Sequence, residues 1–412
     1  MNSHIITIGD EILVGQTVDT NSTFIAQQLN RIGITVTKIQ SIKDERKAIL
    51  ETLDDTLDNN DIIILTGGLG PTNDDITKKV LTEYFNDELL LRPDILEHNQ
   101  LFFKRFNKPF LEVNKQQAML PKGAKIIKND LGTASGMWWT LPKGKHIISL
   151  PGVPYEMKGL FKKILPDLKP LSSSKDGIFH HTLLFQGIGE TKLAELLKET
   201  ENEMKTKGIT VSYLPSVAQV KLRLTGTILQ KKDILTELEK IKQNLIKYCY
   251  GEGDELLEEI LGKLLIKNKS TIGTVESCTG GALASKFVST PGSSAYFQGG
   301  LLTYSNYLKQ NIADVPNQLI KKYGAVSKEV VESMAENGRK KLEVDYCIST
   351  SGIAGPTGGT AEKPVGLVWI GIATSSKTYA KAFNFGHNRK RNIESTVYYA
   401  LNYLRRILIN VE

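Results

Sequence analysis

The 412-residue sequence predicts an α/β protein built in three parts. Three observations predict it. Apolar strand-like runs alternate with helix-patterned segments from residue 1 to about 168, and again from about 254 onward. Glycine-rich turns follow several of those strands directly. Two stretches that break regular structure, Pro166-Asp167-Leu168-Lys169-Pro170-Leu171-Ser172-Ser173-Ser174 and Gly251-Glu252-Gly253-Asp254, divide the chain. A single core seldom grows past roughly 250 to 300 residues, so several domains are expected: 1–168, 175–250 and 254–412.

In the first part, Ile5 to Ile8 is a short apolar strand leading into Gly9-Asp10-Glu11. Asp19-Thr20-Asn21 supplies helix-capping chemistry before Phe24, Ile25, Leu29 and Ile32 at helical spacing. Ile34 to Ile42 alternates as a strand and Lys47 to Leu57 is helical. Asp61 to Leu65 is a buried strand ending in Thr66-Gly67-Gly68-Leu69-Gly70-Pro71, followed by a helix from Ile76 to Phe85. Such alternation implies a mainly parallel sheet with ligands at the carboxyl ends of its strands. Residues 178–250 read as a small α+β connector: a strand from His180 to Gln186, a helix from Lys192 to Thr206, a strand pair from Val211 to Thr225, and a helix from Asp233 to Tyr248. The last part reads as αβα, with an amphipathic helix carrying Leu257, Ile260, Leu261, Leu264 and Leu265, and strands near 271, 299, 346, 367 and 379. A long helix runs from about 389 to 409.

Composition narrows the function classes. With 40% hydrophobic and 24% charged residues the chain is of ordinary globular type. No apolar run approaches the roughly 18 residues of a membrane span, and the N-terminus lacks the pattern of a signal peptide. Cys249, Cys278 and Cys347 are odd in number and have no CxxC spacing, against both a disulfide framework and a zinc site. A cytoplasmic location is expected. The net charge of +7 comes from basic residues dispersed in pairs among acidic ones, which argues against nucleic acid as the main partner.

Two segments carry the chemistry of the C-terminal part. Glu276-Ser277-Cys278-Thr279-Gly280-Gly281 ends a strand and opens a helix; Ser351-Gly352-Ile353-Ala354-Gly355-Pro356 ends another strand. Small side chains, free backbone N–H groups and a hydroxyl at a strand end are what anion binding or oxyanion stabilisation requires. Ser277 is the candidate nucleophile, with the amides of Thr279, Gly280 and Gly281 available to an oxyanion. Cys278 competes as a thiolate nucleophile. In the N-terminal part, Thr66, Gly67, Gly68 and Gly70 suit phosphate, and Asp74 and Asp75 can hold a divalent cation that bridges phosphate oxygens. Asp10 and Glu11, at the end of the first strand, are expected to converge on the same crevice for metal-assisted attack on a pyrophosphate.

The N-terminal segments resemble the molybdopterin-binding fold, with its Thr-Gly-Gly-x-Gly…Asp-x-Thr signature. They are closer still to the CinA family of competence/damage-inducible proteins through Gly9-Asp10-Glu11, Gly132-Thr133-Ala134-Ser135-Gly136-Met137 and Leu150-Pro151-Gly152-Val153-Pro154-Tyr155-Glu156-Met157. Pro291-Gly292-Ser293-Ser294-Ala295, Thr303-Tyr304-Ser305-Asn306 and Glu362-Lys363-Pro364-Val365-Gly366 extend the resemblance over the C-terminal part. It implies a molybdopterin-binding-like three-layer domain, a connector and a CinA amidase domain. The implied reactions are hydrolysis of ADP-ribose to AMP and ribose 5-phosphate, with a divalent cation and potassium, and deamidation of nicotinamide mononucleotide, with no cofactor. It further implies Ser277 as nucleophile, Tyr304 as its partner and an arginine after the last strand, Arg389 or its near neighbour Arg391. Ser351, Gly352, Gly355 and Lys363 are assigned to the substrate. Tyr304 and Lys363 both remain open as acceptor of the serine proton. A homodimer is expected from the fold relatives and the leucine-rich helix at 257–265. The alternative reading is a nucleotide- or pterin-binding partner in competence or DNA recombination.

Overall fold

The computed structural model describes residues 1–72, 75–172 and 178–411, with the backbone alone for Ser172. It divides into two compact units, Met1–Phe179 with Thr227–Gln230, and His180–Gly226 with Lys231–Glu412.

In the first unit, β1 (Asn2–Ile8), β2 (Thr35–Ile42) and β3 (Ile62–Thr66) are parallel, with β1 in the middle. A ribbon of β4 (Leu89–Leu91) and β5 (Met119–Pro121) stands apart from the main sheet. Strands β6 (Lys125–Ile127), β7 (Gly136–Leu141) and β8 (Lys145–Leu150) complete a six-stranded sheet in the order β2-β1-β3-β8-β7-β6. β8 is parallel to β3, and β7 and β6 add antiparallel at the edge.

The strand period of two decides the packing. Ile6, Ile8, Ile63 and Leu65 enter one core with Leu53, Val80 and Leu81, while Ile5, Ile62 and Ile64 enter another with Leu29, Leu160 and Phe161. Both faces are therefore covered, as expected for strands that read as continuous apolar runs. The helix Thr20–Arg31 starts where Asp19 accepts the Ser22 N–H at 2.9 Å. Because Thr7 pairs with Thr66 and Thr66 with Leu150, the loops after β1, β3 and β8 open at one edge of the sheet.

The linker expected from Pro166 is not where the chain breaks. The helix Pro154–Leu168 runs through Pro166. Proline removes one donor and crowds the carbonyl four residues back, but Pro166 stands two residues from the helix end, where few turns remain to be disrupted. Residues 173–174 of the expected linker lie outside the described residues.

The second unit begins with a sheet of β9 (Ile178–Gln186), β10 (Thr210–Ser216), β11 (Gln219–Thr227) and β12 (Cys249–Glu252), ordered β10-β11-β9-β12. The single helix expected at 192–206 is two, Glu190–Leu196 and Lys198–Thr206. A second sheet joins β13 (Ile272–Glu276), β14 (Phe297–Leu302), β15 (Tyr346–Gly352), β16 (Leu367–Ala373) and β17 (Thr378–Asn384) in the order β14-β13-β15-β16-β17. β13 runs parallel to both neighbours, and β16 and β17 antiparallel.

One face of this second sheet packs with the helices Leu257–Lys267, Ala282–Val288 and Arg389–Leu408, bringing Leu261, Phe287, Ile348, Ile370 and Leu401 together. The other packs Val275 and Cys347 against Val330 and Met334 of the helix Lys328–Lys341. Leu184 and Tyr250, from the preceding sheet, belong to the same core as Leu257 and Leu401. Arg405, only 3% exposed, donates to the carbonyls of Ile246 and Lys247 at 3.2 and 3.0 Å. The connector and the C-terminal part thus share one core across the expected boundary at 251–254.

The leucine-rich helix does not present its stripe outward. Leu257, Leu261 and Leu265 are at most 1% exposed inside their own chain, so this helix lends the expected homodimer no support. Among the described residues no helix is long and apolar enough to cross a membrane.

Candidate active sites

Strand β13 delivers Ser277 to the base of a 240 Å³ cleft that also takes in Tyr304, Ser351, Gly352 and Arg389. The turn after β13 is set by Glu276, a carboxylate 2% exposed. It accepts the N–H groups of Gly281, Leu283 and Ala284 at 3.0, 3.1 and 2.7 Å. The first helical amides are therefore satisfied from within the chain, and the positive helix end is neutralised by an internal acid.

This overturns two sequence expectations. The Gly281 amide is held by Glu276, and that of Gly280 bonds to the Ser277 carbonyl at 3.2 Å, so neither faces an incoming oxyanion. What these glycines supply is conformation, with φ of +62° and +93°. Of the three predicted donors, only the Thr279 amide has no acceptor among the described residues. The Thr279 hydroxyl is fixed against that of Thr350 at 2.7 Å.

The residue that meets Ser277 is one the sequence did not single out. Lys309, 2% exposed, lies on the short helix Asn306–Asn311, capped by Ser305. Its Nζ stands 2.8 Å from Ser277 Oγ, 3.0 Å from the Thr303 carbonyl and 3.1 Å from that of Tyr304. Burial pushes its ammonium down from 10.5 to about 8. Among the described residues no acid pairs with it, and its partners are a hydroxyl and two carbonyls. One lysine among 52 basic residues, in a polar helix, carries no signal in a single sequence.

Lys363 is excluded from the proton-transfer role. Its Nζ donates to the carbonyls of Tyr323 and Val326, and it does not line the cleft. It braces the loop that brings Ala325 and Val326 to the wall, and Ser351 Oγ donates to Ala325 O at 2.7 Å. Arg389 rather than Arg391 reaches the site. Its guanidinium donates to the Gly355 carbonyl at 2.9 Å and to the Tyr304 hydroxyl at 3.3 Å. Gly355 therefore acts through its carbonyl, away from the cleft wall, and the Arg391 amide serves the helix cap at Asn388. The competing thiol is the weaker candidate: Cys278 lines the same cleft and is as exposed as Ser277, at 7%, but burial pushes its thiol up to about 12, away from the reactive thiolate.

In the N-terminal unit a 520 Å³ cleft opens at the shared strand edge, walled by Thr66, the Gly67–Gly70 loop and the Pro151–Pro154 turn. Only glycine fits at two points of that loop. A Cβ on Gly67 (φ +118°) would stand 2.1 Å from the Ile8 carbonyl, and one on Gly68 (φ +65°) 2.0 Å from Thr77 Oγ1. Thr66 Oγ is engaged with Asn21 and the Pro151 carbonyl, at 3.1 and 3.0 Å.

Of the four predicted acids, Glu11 and Asp75 line this cleft. Asp10 is exposed in the first turn of the helix Asp10–Leu13 and is not part of the wall, since neighbouring residues on a helix face different directions. Asp74 lies outside the described residues. Asp44, Asp19 and Glu156 line the cleft without having been expected. Asp19 is committed to Ser22 and Thr7, and Glu156, raised by burial, accepts from Asn129 Nδ2 at 2.6 Å. One oxygen of Asp75 accepts from the Thr72 amide and hydroxyl.

Among the described residues no three of His, Cys, Asp and Glu come together as a metal cage. One or two carboxylates completed by substrate phosphate and water is the usual arrangement for a magnesium-type cation, and Glu11, Asp44 and Asp75 are hard oxygen donors of that kind. The residues fit such an ion. The geometry assigns none to potassium.

Fold and sites together define a class: a multidomain α/β protein with a serine contacted by a buried lysine at one glycine turn and an acid-lined glycine cleft at another. Residues 4–170 match the probable molybdopterin binding domain, 180–251 the damage-inducible protein CinA KH domain, and 254–408 the CinA C-terminal domain. The chain is 42% identical to a CinA-like protein of Cytophaga hutchinsonii over 100% of both chains. It is 42% identical to one of Flavobacterium psychrophilum over 99% of each. With a putative competence-damage inducible protein of Clostridium botulinum it shares 40% over 99% of this chain and 100% of the relative. The chain belongs to the CinA family.

Proposed function

We propose that the C-terminal site is a serine amidohydrolase that converts nicotinamide mononucleotide to nicotinate mononucleotide and ammonia. The observation that carries this reading is the 2.8 Å contact between Lys309 Nζ and Ser277 Oγ, made by a lysine with no acid partner among the described residues. With a pKa of about 8, roughly one-tenth of Lys309 is neutral at pH 7, enough to serve as a base.

Neutral Lys309 takes the Ser277 proton as Oγ bonds to the carboxamide carbon. The carbonyl π pair moves to oxygen, where the Thr279 amide is the available donor. Collapse of this intermediate breaks the C–N bond, and the lysine ammonium gives its proton to the departing nitrogen, which leaves as ammonia. Water then attacks the serine ester with Lys309 again as base, releasing the carboxylic acid and restoring Ser277. Cys278 takes no part: Cys278→Ala should keep ammonia release within about threefold of the parent rate. A loss comparable to that of Ser277→Ala would return the nucleophile to the thiol.

For the N-terminal cleft we infer hydrolysis of a nucleoside diphosphate sugar, specifically ADP-ribose to AMP and ribose 5-phosphate. The Gly67 amide is engaged with the Leu150 carbonyl at 3.1 Å, so the support comes from the Gly68 and Gly70 amides beside carboxylates, because acids alone would repel a diphosphate. Glu11, Asp44 and Asp75 would hold a divalent cation, which when bound neutralises phosphate charge and polarises the phosphoryl oxygen. Incubating the whole chain with both substrates tests the two assignments at once. Ammonia and AMP should both form, and a chelator should stop AMP alone. Asp75→Asn should lower AMP formation at least tenfold and leave ammonia release intact. AMP formation indifferent to both would remove the metal-assisted reading.

A further inference from the structure

A third cavity, of 70 Å³, is lined from the end of β9, from β17 and from the second half of the helix Arg389–Leu408. It shares no lining residue with either cleft described above. Asn402, on its wall, lies about 20 Å along that helix from Arg389 at the usual rise per residue. A chain of hydrogen bonds settles which way its buried amide points. Arg405 Nε donates to Asn402 Oδ1 at 2.7 Å, and a guanidinium has no acceptor to offer. Asn402 must therefore present Nδ2 to Gln186, whose Oε1 accepts it. That leaves Gln186 Nε2, with two N–H groups, at the end of the relay. Gln186 is 1% exposed and lines the cavity, and its Nε2 has no acceptor among the described residues. Buried donors of this kind are nearly always satisfied.

The charged side chains on the same wall are Lys381 and Arg406, and among the described residues no Asp or Glu joins them. Phe383 and Tyr399 make up part of the remainder, and an apolar wall leaves charge poorly screened. The amide and the two cations ask for the same thing, an anionic acceptor. We propose that this cavity binds one small oxyanion, a phosphate or carboxylate group, held by the Gln186 amide, Lys381 and Arg406. Its volume is a little over twice the roughly 30 Å³ share of a liquid water molecule, room for one such group and not for a nucleotide. Arg405, at the far end of the relay, also donates to the carbonyls of Ile246 and Lys247. The bound group thus completes a polar network that ties the connector to the long helix.

Reductive methylation of the whole chain, read lysine by lysine by mass spectrometry, tests this at the cavity itself. Lys381 is exposed to the reagent, and the exposed Lys377, which does not line the cavity, is its control. Inorganic phosphate or acetate at saturation, against sodium chloride of equal ionic strength, should slow methylation of Lys381 at least about threefold and leave Lys377 unaffected. The stronger protector identifies the group. Gln186→Met keeps the length, removes the donors and should abolish the protection. Arg406→Gln, at a half-buried position, should weaken the apparent affinity at least about threefold. Should Gln186→Met fail to fold, Arg406→Gln decides, and unchanged protection in it overturns the site. No protection by either anion, or equal protection of Lys377, overturns it as well: the cavity then holds only water on the Gln186 amide.

Discussion

Ser277→Ala lowers ammonia release from nicotinamide mononucleotide at least about 100-fold, while AMP formation from ADP-ribose by the same chain is unchanged. The size follows from removing the atom that forms the covalent bond; what remains is the contribution of binding and of the oxyanion donor. The substitution is also structurally mild. Ser277 holds its place through its backbone N–H, which donates to the Thr350 carbonyl at 3.0 Å, and through the turn that Glu276 locks from the other side. Lys309 keeps two carbonyl partners when Oγ is gone. Ammonia release in Ser277→Ala near the parent rate would refute a serine nucleophile, and AMP formation in the same sample shows that the protein is intact.

Lys309→Met removes the base and should cost about 100- to 10,000-fold in kcat. In the parent, the rate should rise about tenfold per pH unit below pH 8 and level off above it, because the neutral amine is the active form and its pKa is about 8. Stability supplies an independent reading. The folded pKa of Lys309 lies below its unfolded value of 10.5, so below pH 8 the lysine is protonated in both states and burial of the charge destabilises the fold in full. Between pH 8 and 10.5 the unfolded chain binds more protons, and the parent gains stability as pH rises. The total gain is at most on the order of 3 kcal/mol.

Methionine carries no such charge, so the variant lacks this gain. It leaves the Thr303 carbonyl without its lysine donor, at about 1 kcal/mol, while the Tyr304 carbonyl keeps the Ser277 hydroxyl at 3.5 Å. Denaturant titrations of both proteins at pH 7 and pH 10 should therefore show the difference moving in favour of the parent at the higher pH. Other lysines titrate in both proteins and cancel in that difference. A pH-independent difference, or a rate flat from pH 6 to 9, would mean that Lys309 is not the base.

The alternation of apolar runs, the glycine turns at strand ends and the capping residues were legible because they act locally. A short continuous apolar run makes a strand with two covered faces, and a glycine after a strand frees the backbone to turn, whatever the rest of the chain does. These features sufficed for the α/β class and for pointing to Ser277, Glu11 and the Gly67–Gly70 loop, which line the two clefts; Tyr304 and Arg389 came from the family resemblance and not from local pattern. The sequence left Tyr304 and Lys363 open as acceptor of the serine proton, and only the tertiary structure could bring Lys309 forward, because a lysine is tuned by burial beside a hydroxyl, and burial is set by residues distant in sequence. The same holds for the glycine amides after Ser277. Their spacing made them available, but a folded carboxylate, Glu276, claims the helix end. The leucine stripe at 257–265 shows the limit most clearly: its period fixed a helix with one apolar face, but whether that face met a second copy or its own core depended on the sheet and helices folded against it.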